Sequence, residues 1–255
     1  MRRMTQCYSL ALLFALTAAC ATAGDDDGSG GTADSSVSGN ADASLPGTPD
    51  ASLPGTPDAS VPGTPDAGIT PVEVTLSLST NATTITALNT VSCNDETTGQ
   101  HTDNSYYRVF DLTALGVTSA FTVSKISMGI ETATGAAGTQ PATVRLHTLN
   151  GALTLANLTQ IGTAAATITD TAVGVVIDIP VTGVAPAAST LVVEFFTPNG
   201  QTAGHSLFVG SNALGQSGPS YLAATDCGAA EPADLAGLGF PDVHVVMTVT
   251  GTHLP

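Results

Sequence analysis

The chain has 255 residues, with 21 Asp and Glu against five Lys and Arg, four Cys and no Trp. Two of the five bases, Arg2 and Arg3, sit at the extreme N-terminus, which leaves Arg108, Lys125 and Arg145. Such an acidic surface repels phosphate backbones and anionic headgroups, so no nucleic acid is expected as a partner, and the length suits one large all-β domain with extensions.

Residues 1–23 read as an export signal. Arg2 and Arg3 provide the basic start, and Leu10–Leu16 is an apolar run too short to cross a bilayer. Two cleavage readings stay open. Leu16-Thr-Ala-Ala-Cys20 resembles the lipobox of bacterial lipoproteins, in which Cys20 is lipidated and becomes the first residue; Ala21-Thr-Ala23 fits ordinary signal cleavage and simple secretion. On the first reading the protein is held at the outer membrane or cell surface by lipid alone, and several acyl chains make that anchor firm.

Residues 24–70 read as a disordered linker. Gly, Ser, Asp, Ala and Thr dominate 24–41, too polar to offset the entropy of ordering. Then Asp42-Ala-Ser-Leu-Pro-Gly-Thr-Pro49 recurs at 50–57 and, with Val61 replacing Leu, at 58–65. Two Pro and one Gly per repeat block helix and sheet alike, leaving an extended spacer with a reach of roughly 75 Å at about 3.1 Å per residue.

From residue 71 apolar and β-branched residues alternate with Thr and Ser. The runs are 72–78, 83–92, 105–112, 121–132, 142–149, 160–168, 174–181, 190–197, 206–210, 220–223 and 243–249. In the last, Val243, Val245, Met247 and Val249 share one face. No stretch keeps a helical period for ten residues without Gly, Pro or a β-branched run. The expected fold over 71–255 is all-β: a two-sheet antiparallel sandwich, jelly-roll-like in topology. Cys93 and Cys227 are the only cysteines beyond the export segment, and in an exported chain such a pair implies a disulfide.

The densest chemistry lies in Cys93–Leu112. Asp95, Glu96 and Asp103 supply hard oxygen ligands on one loop and are the candidate site for a Ca²⁺ ion, although the spacing matches no EF-hand; otherwise no cofactor is expected. Tyr106, Tyr107 and Tyr221 are the candidate platform for a glycan ligand. Tyr106, Arg108 and Phe110 share one strand face. If that face is the core, Arg108 needs a carboxylate or carbonyls, and a structural ion pair is the expected role. His147 and His244 fall on faces opposite most apolar neighbours and read as surface groups. Gly215-Gln-Ser-Gly-Pro219 lacks the last Gly and the following helix of a nucleophile elbow, so Ser217 reads as a turn residue. Strand carboxylates such as Glu131 and Glu194 could serve glycoside hydrolysis, but cross-strand pairing with the three remaining bases explains them with fewer demands.

Several segments match in order a family of accessory domains of exported bacterial proteins, often appended to secreted peptidases. They are 104–112 (Asn-Ser-Tyr-Tyr-Arg-Val-Phe-Asp-Leu), 140–146, 192–201, 210–212 with 215–216, 219–221, 226–228 and 239–246. The resemblance covers about residues 90–251 and implies a non-catalytic β-sandwich carried outside the cell. Together these readings describe a membrane-anchored exported lipoprotein presenting a sandwich for binding, adhesion or structure, with a cell-surface or glycan partner. The alternative is an extracellular polysaccharide hydrolase.

Overall fold

A computed structural model describes residues 69–255. Cys20, the expected export signal and the repeat spacer lie outside the described residues.

The described residues form thirteen strands: β1 (Val72–Ser77), β2 (Asn104–Asp111), β3 (Phe121–Thr134), β4 (Thr139–Leu149), β5 (Leu158–Thr169), β6 (Val173–Ala185), β7 (Thr190–Thr197), β8 (Ser206–Val209), β9 (Ser211–Asn212), β10 (Ser220–Ala224), β11 (Ala229–Asp234), β12 (His244–Val245) and β13 (Met247–His253). Among the described residues the only helical turns are two short 3₁₀ segments, Leu155–Asn157 and Thr225–Cys227. The first sheet runs β1-β13-β3-β6 with β8 also on β3, the second runs β11-β10-β2-β7-β4-β5, and β9 pairs β12. All of these pairings are antiparallel. The order 1-13-3-6 facing 2-7-4-5, in which the chain repeatedly crosses between layers, is that of a jelly roll.

Period-two alternation builds this core. From β2, Tyr106 and Phe110 point inward; from β3, Val123, Ile126, Met128 and Ile130; from β7, Leu191, Val193 and Phe195; from β13, Met247 and Val249. All are buried in one cluster. The two layers close on each other where β5 meets β6. A Cβ on Gly162 would stand 2.3 Å from the Thr182 carbonyl oxygen, so only glycine permits that approach.

The expected strand over 83–92 does not form. Its alternation is real, but its backbone is held by side chains instead of a ladder. Asn81 Oδ1 accepts from the Thr83 and Thr84 amides, and Asn212 Nδ2 donates to the Asn81 and Thr84 carbonyls. Thr90 Oγ1 donates to the Val209 carbonyl, and Tyr106 Oη to that of Val91. Local Asn bonding competes successfully with the sheet. Conversely, β11, Ala-Ala-Glu-Pro-Ala-Asp, has too little alternation to stand out in the sequence.

Cys93 and Cys227 are bonded, with Cα atoms 5.9 Å apart. The link fastens the end of the ladderless segment to the 3₁₀ turn that follows β10.

Candidate functional site

The outward face of the second sheet carries a row of directly opposed residues across six strands. In order they are Asp234 on β11, Tyr221 on β10, Tyr107 on β2, Glu194 on β7, Arg145 on β4 and Thr163 on β5. Neighbouring rows add Ser105 beside Phe196, and His147 beside Gln160. Residues two apart on a strand share a face, so Ser105 joins Tyr107, and Arg145 joins His147. Of these, Ser105, Tyr107, Arg145, His147, Gln160, Glu194 and Phe196 line a groove of about 430 Å³, flanked by Leu155 and Leu158.

Glu194 is the hub and is only 5% exposed. Its Oε1 accepts from Arg145 Nη1 at 2.6 Å and from Ser105 Oγ at 2.8 Å; its Oε2 accepts from His147 Nε2 at 3.0 Å. Burial pushes this carboxyl group up, but the bonds from His147 and Ser105 and the charge of Arg145 outweigh burial, and the group stays below its ordinary range. The Arg145 guanidinium also lies over the Phe196 ring, 4.6 Å from its centroid, a cation–π contact that fixes its plane. Burial, followed by the charge of Glu194, raises the Tyr107 phenol.

Three side-chain donors hold the charge of Glu194 in place. Ser105 donates to the carboxylate, not to the imidazole, so the serine–histidine relay needed for a nucleophile is absent. His147 spends Nε2 on Glu194, and its Nδ1 is buried without a hydrogen-bond partner. Glu131 lies on β3 in the other sheet, where its carboxylate accepts from the Leu88 amide; it does not line the groove. The two carboxylates considered for hydrolysis therefore do not face one cleft.

The other candidates separate. Asp95 Oδ1 accepts from the Thr97 and Thr98 amides and from Thr98 Oγ1, capping its own turn, and the Thr98 amide bond leads in holding its pKa low. Asp103 Oδ1 accepts from the Asn199 amide, and Asp103 belongs to the groove. Asp95 and Glu96 line a different pocket with Asp226, against the disulfide. The three loop carboxylates proposed for Ca²⁺ do not converge. Among the described residues no group of three or more His, Cys, Asp or Glu is placed to hold a metal ion.

Tyr106 is corrected from ligand platform to core. It is buried, and its hydroxyl donates to the Val91 carbonyl. Tyr107 and Tyr221 do stand side by side on the outward face, Tyr221 half-buried and Tyr107 nearly enclosed. Arg108 is also corrected: it is structural and buried, but its partners are neutral. Its guanidinium donates to Gln216 Oε1, the Gly218 carbonyl, and the hydroxyls of Ser220 and Ser79. Burial pushes its pKa down to about 10. It joins the 216–220 turn and the end of the β1 arm to the core.

The strand carboxylates do form cross-strand pairs, Arg145 with Glu194 and Lys125 with Asp178 at 2.7 Å. His147 is 7% exposed and part of the groove's floor, not a surface group; the sequence reading missed it. Ser105, Phe196 and Gln160 were missed with it. The usable signal was that Arg145 and His147 alternate on one strand, as do Glu194 and Phe196 on the next. Ser217 bonds the Leu78 carbonyl through its amide, and its hydroxyl is aimed at the same oxygen, with no imidazole as partner.

Sequence comparison finds no family model and no curated protein that matches the chain.

Proposed function

We propose that this is an exported, tethered, non-catalytic β-sandwich that binds an uncharged, polyhydroxylated ligand of the glycan class in the groove on the outer face of its second sheet. The observation that carries the reading is the saturation of Glu194. Both of its oxygens are engaged by Arg145, Ser105 and His147, so the carboxylate orients donors and is not free to act as acid or base. The rest of the Arg145 guanidinium, 30% exposed as a side chain, and Gln160 offer hydrogen bonds to the groove, and Leu155 and Leu158 offer an apolar flank. Arg145 and Glu194 cancel each other's charge, and the acidic surface around them disfavours an anion. Attachment through a lipidated Cys20 and the 42–65 spacer, with the likeness to accessory domains of exported proteins, places such a domain where surface polymers are met. A polysaccharide hydrolase using Glu131 and Glu194 draws no support from two carboxylates on different sheets.

A glycan array probed with the full chain tests this. Binding should fall at least tenfold for Arg145→Ala and for Gln160→Ala, and should persist for Lys125→Ala on the opposite sheet. Binding indifferent to both groove substitutions sinks the assignment, and release of new reducing ends by the wild-type chain transfers it to the hydrolase reading.

A further inference from the structure

Among the described residues the main strand orders of the two large sheets end on four strands, and three of these are guarded against pairing with another chain. On β1 the edge is six residues long and carries Glu73. On β11 it carries Glu231, Pro232 and Asp234. On β6 it carries Asp178 and Pro180. Charges, prolines and short lengths are how sheet proteins keep edges from templating further strands. The fourth edge, β5, has none of these. Its twelve residues, Leu-Thr-Gln-Ile-Gly-Thr-Ala-Ala-Ala-Thr-Ile-Thr, contain no charge and no proline.

Strand β5 pairs only with β4. After the register shift near Gly162, its Thr163, Ala165, Thr167 and Thr169 point outward and are exposed, while Ala164, Ala166 and Ile168 face the core. Beside this half of the strand the two layers part, leaving a gap of about 270 Å³ bordered by Ala165–Thr169 and by Ile177–Pro180 of β6. The adjoining stretch of β6 leaves Val173, Val175 and Val176 exposed at 63%, 40% and 37%. The β5 edge is thus uncharged along its length in a chain whose formal net charge is -16, and Asp178, the one charged residue bordering the gap, is paired with Lys125.

We infer that the β5 edge is a homodimer interface: two copies pair residues 163–169 of β5 antiparallel about a two-fold axis, covering the exposed valines of β6. The occupant is a second copy because the edge is complementary to itself. Thr163, Ala165, Thr167 and Thr169 form its outward face, where a two-fold centred on residue 166 sets Thr163 opposite Thr169, a favourable cross-strand pair, and the paired strands themselves carry no charge. Two acidic molecules repel each other over most of their surfaces, so contact through the uncharged edge is the approach that repulsion leaves open. An antiparallel pair has its two-fold perpendicular to the sheet. The outward faces of both second sheets then lie on the same side of one continuous sheet, and the two Glu194 grooves open in the same direction.

Sedimentation velocity on the full chain carrying Cys20→Ser, so that no acyl chain contributes, reads the assembly directly. A discrete dimer at micromolar concentration is expected. The double substitution Ala165→Glu, Thr167→Glu should return it to a monomer with an unchanged far-ultraviolet circular dichroism spectrum, because both side chains face solvent in the single copy. Glu231→Lys, on the guarded β11 edge, should remain a dimer. A wild-type monomer, a dimer that survives the two glutamates, or polydisperse aggregation without a dimer each overturns the inference. Glycan binding by a monomer would leave the groove assignment standing, so the two proposals fail separately.

Discussion

Buried polar side chains decide more here than buried apolar ones. Arg108 is fully enclosed yet meets no carboxylate; four neutral oxygens from Ser79, Gln216, Gly218 and Ser220 share its charge. Nη1 and Nη2 make these bonds while Nε is buried without a partner, and the fork of the guanidinium can reach several acceptors where an ammonium cannot. His101 also carries an orphaned atom. It is 2% exposed, its Nε2 donates to the Pro198 carbonyl, and its Nδ1 is buried without a partner. Burial lowers its pKa and outweighs the bond to the Pro198 carbonyl and the charge of Asp103, which raise it. The unfolded chain therefore takes up a proton on this imidazole more readily than the folded one. Stability from this group is fully present above the ordinary imidazole value near 6.5 and is lost as pH falls below it towards the lowered folded value. Urea midpoints across pH 7.5 to 5 should decline for the wild type, and less steeply for His101→Gln, which keeps a donor for Pro198 but cannot be protonated. Equal slopes for the two would dismiss His101 as the source. Glu194 acts in a lower window: its folded pKa is depressed, so its contribution is lost only as pH falls through the carboxylate range.

At the scale of elements, legibility followed period. Strands such as Thr190–Thr197 and Phe121–Thr134 were readable because β-branched and aromatic residues alternate between turn residues, and the jelly-roll class follows from their number. The segment before Cys93 shows the same texture and is not a strand, because Asn81 from within it and Asn212 from across the fold satisfy its backbone. Single-sequence periodicity has no access to a side chain supplied from 131 positions away. The groove was half legible. Arg145, Glu194 and Tyr107 stood out by type, but the row that aligns them is set by strand registers, and register across non-consecutive strands is a tertiary property. The same reasoning locates what the disulfide does. It closes a separation of 134 residues and pins the one long segment that lacks a ladder. Cys93→Ser with Cys227→Ser should cost about 2–5 kcal/mol, measured as a fall in the urea midpoint. Hydrogen exchange should speed up first in 81–93, where the Thr86 amide rests on the Ser211 carbonyl, and much less in β3 or β7. Uniform acceleration across both sheets would show that the link supports the whole sandwich equally.

For the whole molecule the governing quantity is charge. Each base of the described residues is already committed: Arg108 to the core, Arg145 to Glu194, Lys125 to Asp178. Asp and Glu far outnumber these bases, so the folded chain repels itself. Salt then has two opposed effects. It weakens the Lys125–Asp178 pair, whose side chains are 40% and 55% exposed, but an exposed pair contributes only about 0–1 kcal/mol. It also screens the repulsion among all the acidic groups at once, because the Debye length shrinks from about 30 Å at 0.01 M to about 8 Å at 0.15 M. The second effect involves many more pairs and should prevail. The melting temperature is expected to rise by a few degrees over that range at pH 7, and to rise with sodium chloride as much as with calcium chloride at equal ionic strength. A fall would mean that the local pairs outweigh the general repulsion. A rise confined to calcium would mean that the acidic pocket beside the disulfide takes up the ion despite its dispersed carboxylates.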